Sequence, residues 1–454
     1  MKRFFILIMT SSMLGACNPD FLDVKRDKAQ AVPSTLKDFD AILDNTTVFN
    51  HNSGHAMSSI SAEEFEISDP AYQLLSRQQE KTAYSWVDEY YDGYDCTDWN
   101  YPYQRVLYSN IILEGVTKVE VEKEILAHYN EIKGSALFHR ANAFYMLAQQ
   151  FAAPLGDVQN ADYGIPLVTE SDPTDLNSRA RVGDTYIRIV NDLKDAIGQL
   201  PLTTKNIFRP SKLAAEALLA RIYLAMGQYE EALICTENVL KEYPHLHDFK
   251  SLNEGILYPF PSSGQGNPEI IFYDASGYGA ALLMDKYRVN TELLHLYANG
   301  DLRKNIFFRE EATGGFAYRG SYTGSGIFFT GLATDELYLI KAECLVRKGL
   351  TQEGLQVLNS LLKTRFEPDT YLDYYALNKE EAMSVIDKER RKELLNRGLR
   401  WSDLRRYNFQ ENSSISLSRT VDGKPYYLTG KDNRFTFLAP KNVIDNSKII
   451  QYPR

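Results

Sequence analysis

Chemistry in a polypeptide needs particular side chains at particular spacings, and this chain offers few such sets. His51 and His55 stand four apart, the spacing that puts two imidazoles on one helix face, but Gly54 precedes His55 and the stretch reads as loop. Asp88-Glu89-Tyr90-Tyr91-Asp92-Gly93 has the acidic density and the glycine of a calcium loop. Tyr90, however, occupies the place of a second oxygen ligand and Trp99 that of the closing glutamate, so the stretch reads as a solvated acidic loop. Gly264/Gly266 and Gly277/Gly279 lack the third glycine and the strand-to-helix setting of a nucleotide fingerprint. There is no Gly-x-Ser-x-Gly, His-Glu-x-x-His or Walker sequence. Two carboxylates for glycoside hydrolysis can lie far apart in a chain, and nothing singles out a pair here. The sequence therefore predicts no catalytic residue, no metal site and no cofactor.

What the chain does have is aromatic side chains. Thirty Tyr, 22 Phe and 3 Trp make up 12% of its 454 residues. Tyrosine combines a flat apolar face with a polar tip, which suits both ligand recognition and core packing, so the count alone does not choose. Fifty basic against 60 acidic side chains give a net charge of −10, which argues against non-specific nucleic-acid binding, since that requires a basic surface.

The elements that must position these residues begin after an export signal. Lys2 and Arg3 precede the apolar run Phe4 to Met9, and Leu14-Gly15-Ala16-Cys17 follows. The run is too short to span a bilayer, and the quartet resembles a bacterial lipobox, so residues 1–16 read as signal peptide, Cys17 as the lipidated residue and 17–33 as a tether. With Cys17 acylated, Cys96, Cys235 and Cys344 remain, an odd number that makes a disulfide framework improbable. Cys235 and Cys344 fit helical core positions.

From Ser34 onward the period is mainly helical. Leu36, Phe39, Ile42 and Leu43 mark one face, and further stripes run through 135–151 and 182–200. Residues 211–244 form the most regular unit, a helical pair with Gly227 and Tyr229 at the turn, Ala232 in the second helix and Pro244 after it. This resembles a tetratricopeptide repeat, and a weaker copy spans 336–366 with Gly349 in the turn and Gly354 in place of Ala232. The two turn glycines are 349 − 227 = 122 residues apart, so an insert separates the copies. Gly, Pro, Ser, Tyr and Phe dominate about 245–332, where loops and short strands are expected, and 407–454 is similarly irregular. Residues 389–406 hold seven basic and three acidic side chains. Leu394, Leu395, Leu399 and Leu404 share the segment, which therefore reads as a structural ion-pair network that includes a Glu393–Arg397 pair one helical turn apart.

Several segments, in order, resemble the SusD/RagB-like outer-membrane lipoproteins of Bacteroidetes-type bacteria. They are the lipobox with Phe21-Leu22-Asp23; Trp99-x3-Tyr103-x2-Val106-x3-Asn110; Ala136-Leu137-Phe138-His139-Arg140-Ala141; Gly164-Ile165-Pro166-Leu167-Val168; the helical pair; and Glu389-Arg390-Arg391-Lys392-Glu393-Leu394 through Arg400-Trp401-Ser402-Asp403-Leu404-Arg405-Arg406. The ending Gln451-Tyr452-Pro453-Arg454 departs from the family's frequent Gln-Asn-Pro-Gly-Tyr. The resemblance implies one mainly α domain over 34–454, a tetratricopeptide-like scaffold at about 34–244 and 333–406 with an irregular ligand-binding subdomain inserted. It also implies an outer-membrane location through the lipid, facing the cell exterior, and a SusC-like TonB-dependent transporter as partner. The cargo would be oligosaccharide or, in some branches, peptide. The alternative is a lipid-anchored glycan hydrolase.

Sugar rings stack their C–H faces on aromatic rings and need fixed donors and acceptors for their hydroxyls. The expected ligand face therefore joins the loop 86–103 (Trp86, Tyr90, Tyr91, Tyr94, Trp99, Asn100, Tyr101) to the insert (Tyr273, Tyr278, Tyr287, Phe316, Tyr318, Arg319, Tyr322). Trp99 and Tyr103 carry a competing reading as packing residues, and Trp401 reads as core.

Overall fold

A computed structural model describes residues 33–88, 96–172, 178–277, 279–411 and 413–454; the signal, Cys17 and the tether up to residue 32 lie outside them. The chain is mainly helical. Helix α1 (Leu36–Leu43) starts at a capping box in which Thr35 and Asp38 satisfy each other's main-chain N–H groups, and it buries Phe39 and Leu43. Then come α2 (Ala56–Ser61), the short strand β1 (Phe65–Ile67), α3 (Gln78–Ser85), α4 (Thr97–Val116), α5 (Leu126–Phe151) and α6 (Val182–Gln199). Helix α5 lies between α4 and α6 and is buried along most of its length. It is buried nearly all round from Ala136 to Leu147 rather than on one side, with the polar His139, Arg140 and Asn142 inside the core. Gly134 lets α5 approach the end of α6, where a Cβ would stand 2.9 Å from Leu200 Cγ.

The regular unit forms α7 (Lys212–Ala225) and α8 (Tyr229–Glu242), with Gly227 between them at φ +71°. Its copy forms α9 (Thr334–Arg347) and α10 (Thr351–Leu362). At Gly354 a Cβ would come within 2.6 Å of Val346 Cγ2 and 2.8 Å of the Ala342 carbonyl, so this crossing is closer than the one Ala232 serves. Although 122 residues separate the turns in sequence, α8 packs directly against α9. The insert loops out and returns.

Residues 243–333 fill that excursion with β2 (Ile270–Phe272), β3 (Tyr287–Val289), β4 (Phe308–Glu310), β5 (Phe316–Tyr318) and β6 (Leu332–Ala333). The sheets are two-stranded and antiparallel: β1 with β3, β2 with β6, and β4 with β5. Strands this short bury little aliphatic surface, and rings fill the space between them. Phe249, Phe260, Tyr322, Phe329, Tyr273 and Phe208 follow one another at centroid separations of 5.5, 4.6, 5.6, 6.0 and 4.9 Å.

Helices α11 (Lys379–Glu393) and α12 (Arg400–Phe409) lead to the hairpin β7 (Leu417–Val421) and β8 (Lys424–Leu428). Trp401 stacks on Phe437 at 5.3 Å in the core. The basic segment is an ion-pair network. Arg303 binds Asp301, Glu389 and Glu393 at 2.7, 2.7 and 2.9 Å, and Arg365 binds Glu269 and Glu393 at 2.7 Å each. The expected Glu393–Arg397 pair does not form. Helix α11 ends at Glu393, so no helical turn links the two, and Arg397 reaches Asp335 instead at 2.6 Å. Cys96, Cys235 and Cys344 are buried, and Cys96 Sγ lies 3.9 Å from Met57 Sδ.

Candidate functional site

The N-terminal half of α4 forms one wall of a groove of about 620 Å³. Trp99, Asn100, Tyr101, Tyr103, Gln104, Leu107 and Tyr108 line it, Val106 lies at its base, and Pro166, Val168 and Glu170 face them, with Val443 and Ile449 contributed by the C-terminal segment. The expectation of a loop over 86–103 is corrected here. Trp99, Asn100 and Tyr101 sit on a helix, whose i, i+4 spacing aligns Asn100, Gln104 and Tyr108.

The opposite wall is pinned by α4 itself. Tyr103 Oη donates to the Pro166 carbonyl at 2.9 Å, and Asn110 Nδ2 donates to the Val168 and Glu170 carbonyls at 3.0 and 2.9 Å. Asn110 in turn accepts from Arg140 at 3.0 Å, and Arg140 makes two 2.8 Å bonds to Asp192. A chain of buried polar groups thus runs from α6 through α5 and α4 to the groove wall. Arg179 ties the same wall to the C-terminal segment, donating to the Phe151, Gly164 and Ile450 carbonyls. With no carboxylate partner among the described residues, its guanidinium is pulled down to about 10 by burial.

Trp99 is only 5% exposed and packs on Tyr103 and Phe151 at 4.9 and 5.0 Å, so it serves as the back of the groove. Asn100 and Gln104 are exposed, while Tyr101 and Tyr108 are half-buried. Tyr101 also meets the insert: a Cβ on Gly277 would stand 3.2 Å from Tyr101 Cδ2 and Cε2. Behind it, Asp98 accepts from the Met57 N–H at 2.8 Å, and burial raises its carboxyl to about 7.

The remaining expected face does not assemble. Tyr273, Tyr287, Tyr318 and Tyr322 are each 5% exposed or less, inside the ring lattice of the insert. Tyr322 Oη lies within hydrogen-bond distance of both Glu269 and Asp335, and Arg397 lies 4.1 Å over its ring. Arg319 is a loop clamp that donates to the Glu254, Ile256 and Asn305 carbonyls. Trp86 ends α3 in a left-handed conformation at φ 53°, buried, with Nε1 donating to the Ser61 carbonyl at 3.1 Å. Phe316 is half-buried at the start of β5. For the four tyrosines the cause is shared: the insert's strands of two or three residues supply too little aliphatic surface to fill its interior alone, so rings turn inward beside Ile270, Val289 and Leu332. Tyr90, Tyr91, Tyr94 and Tyr278 lie outside the described residues, as does Cys17. Sequence reasoning missed Gln104, Leu107, Tyr108, Val168 and Glu170; the aligned 100/104/108 positions were the available signal.

Neither histidine of the 51/55 pair suits a metal. His51 leans on Tyr273 at 5.5 Å, and His55 is buried against Ser53 with its imidazole pushed down to about 3 by desolvation. No group of three or more His, Cys, Asp or Glu side chains that could hold a metal occurs among the described residues.

Comparisons with known proteins bear on what such a groove serves. Residues 20–224 match a family model described as starch-binding associating with outer membrane, and residues 333–447 match the SusD family model. The chain belongs to the SusD/RagB-like family. Neither model is of a catalytic family. The chain is 23% identical over 429 residues to SusD-like protein P38 of Formosa agariphila, covering 78% of each protein. Its fold is that of a SusD superfamily protein from Bacteroides thetaiotaomicron, at TM-score 0.73 and 20% identity over 92% of this chain and 100% of that one. A SusD-like carbohydrate binding protein from Bacteroides vulgatus is similar at TM-score 0.71 and 16% identity, over 92% and 97%. No helix among the described residues of this SusD-like chain is long and apolar enough to cross a membrane.

Proposed function

We propose that this protein is a lipid-anchored, outward-facing binding protein of the outer membrane. It captures oligosaccharide in the α4 groove and delivers it to a SusC-like TonB-dependent transporter, without chemistry of its own. The observation that carries the reading is the groove's composition. An apolar and aromatic wall, Tyr101, Leu107 and Tyr108, stands beside the polar tips of Asn100, Gln104 and Glu170, in a volume within the usual range for small-molecule sites. A sugar ring requires that combination: a face to stack on and a few fixed groups for its hydroxyls. The lipid at Cys17 rests on the Leu14-Gly15-Ala16-Cys17 motif, and the transporter on the family.

The experiment is a thermal-shift screen of the mature protein against a panel of soluble glycans and a peptide pool. A ligand that binds only the folded state raises the melting temperature. The reading expects at least one glycan to stabilise the protein, and Tyr101→Ala, a folded protein by circular dichroism, to lose the shift relative to its own unliganded melting temperature. Stabilisation by the peptide pool alone replaces the cargo. New reducing ends released from a glycan replace the binding role with hydrolysis.

A further inference from the structure

Away from the α4 groove, a second concavity of about 350 Å³ opens between β1 and β7, with Tyr84 and Arg419 among its lining residues. Two strand edges flank it. In the β7–β8 hairpin, the two-residue turn Asp422-Gly423 has φ of 51° and 73° and pairs Val421 with Lys424. The ladder bonds therefore fall on Val421, Arg419 and Leu417, and the main-chain groups of Ser418 and Thr420 point away from β8. Pro425, opposite Thr420, fits this register, because its missing N–H belongs to a position outside the ladder. On β1, the Asn290 N–H donates to the Glu64 carbonyl at 3.0 Å, which turns the main chain of Phe65 and Ile67 outward. Tyr84 Oη satisfies Ile67, accepting from its N–H at 2.8 Å and donating to its carbonyl at 3.3 Å. The outward groups of Phe65, Ser418 and Thr420 have no such partner among the described residues.

An exposed carboxylate, Glu66, stands beside these edges. It accepts from Asn290 Nδ2 at 3.2 Å and makes no direct ion pair among the described residues, although Arg419 lies near enough to feel its charge. Glu63 gives one oxygen to Arg400 and Arg391, while its Oε2 is buried without a hydrogen-bond partner. Among the described residues that line the groove the cation is Arg419, and it is turned inward. Arg419 donates to the Tyr84 carbonyl at 2.6 Å and to the Ala62 carbonyl, and lies 4.1 Å over the Tyr84 ring and 4.6 Å over that of Trp86. Open strand edges present unpaired donors and acceptors at the two-residue period of an extended chain, and carboxylates beside them select for cationic side chains.

We propose that the β1–β7 groove is a strand-addition site for an extended, basic polypeptide segment. The segment pairs with the outward main chain of Ser418 and Thr420 and directs a lysine or arginine to the exposed carboxylate of Glu66. This site is separate from the α4 groove and does not depend on the glycan reading.

The test titrates the mature protein with the synthetic peptide acetyl-Val-Lys-Thr-Lys-Val-amide at low salt, by calorimetry and by hydrogen exchange. Saturable binding is expected, with slowed exchange in the segment that contains Ser418 and Thr420. Thr420→Pro removes the outward N–H without touching the β7–β8 ladder, and Glu66→Gln removes one charge. Each is expected to weaken binding about tenfold, the loss of one such contact. The same peptide N-methylated at its central amides is expected not to bind. The proposal is overturned by absence of saturable binding at millimolar peptide, by wild-type affinity in both variants, or by loss of binding in Tyr101→Ala, which would place the peptide in the α4 groove.

Discussion

Two regions hold aromatic side chains in comparable density, and they use them in opposite ways. On α4 a buried polar chain, Asp192–Arg140–Asn110, stands behind the aromatics and leaves Tyr101 and Tyr108 partly open to solvent. In the insert the buried rings of Tyr273 and Tyr322 pack on Phe329 and those of Tyr287 and Tyr318 on Phe328, and the ionic groups Glu269, Asp335 and Arg397 touch Tyr322 from inside. Regular helices supply enough aliphatic surface to fill their own interior, so their surface aromatics are free for another role. The insert's strands of two or three residues do not, so rings supply the core.

The contrast breaks most visibly on truncation inside the insert. Tyr318→Ala is expected to cost about 3–5 kcal/mol in urea denaturation, as for a large aromatic removed from a packed core. A cost below about 1 kcal/mol would return Tyr318 to the surface. Arg303→Met belongs to the same class, since it leaves Asp301, Glu389 and Glu393 together with less compensating charge, a loss of about 3–5 kcal/mol. Refolding yield separates a destabilised protein from an unfolded one.

A middle-sized effect is expected where the two regimes meet. Asn110→Ala frees the Val168 and Glu170 carbonyls and leaves Arg140 one acceptor short, for a cost of about 1–3 kcal/mol. Because those carbonyls hold the groove wall, the variant also loses affinity for any ligand of the α4 groove. An unchanged affinity would show that the wall does not take part.

How much of this was legible follows from the same physics. Helical period, the Gly227 turn and the Ala232 contact announce α7 and α8, and the copy at Gly349 announces α9 and α10. That α8 meets α9 across the insert is a long-range fact that no local pattern carries. On α4, Trp99, Asn100 and Tyr101 were found by residue type, but as a loop; the helix that makes Gln104 and Tyr108 their neighbours runs through Pro102, a residue that reads as a breaker. In the insert, residue type misled. Exposure depends on what lies behind a ring, and irregular backbone has no period from which to read it.

Glu64 tests the seam between the insert and the C-terminal helices. It is buried, accepts from the Asn396 N–H at 3.3 Å, and burial raises its carboxyl to about 8. Between its unfolded value of 4.5 and about 8 the native protein keeps a proton that the unfolded chain has released, so this group makes stability fall as pH rises through that window. Glu64→Gln keeps the shape and removes the titration. The expected result is similar stability below about pH 4.5, where both side chains are neutral, and a gap in favour of Glu64→Gln that widens by about 1.4 kcal/mol per pH unit from pH 5 to pH 8. An identical pH profile in the two proteins would mean that the carboxylate is already ionised in the native state.

The smallest expected effect on stability is also the most informative about the groove. Asn100 is exposed on the first turns of α4, so Asn100→Ala is expected to move stability by no more than about 0.5 kcal/mol. If the groove binds hydroxylated ligands, the amide is one of the few polar groups able to fix them, and its loss weakens affinity about tenfold, equivalent to one hydrogen bond. Comparing Asn100→Ala with Tyr318→Ala therefore separates the two uses of side chains directly. The first changes binding with little change in folding, and the second changes folding first.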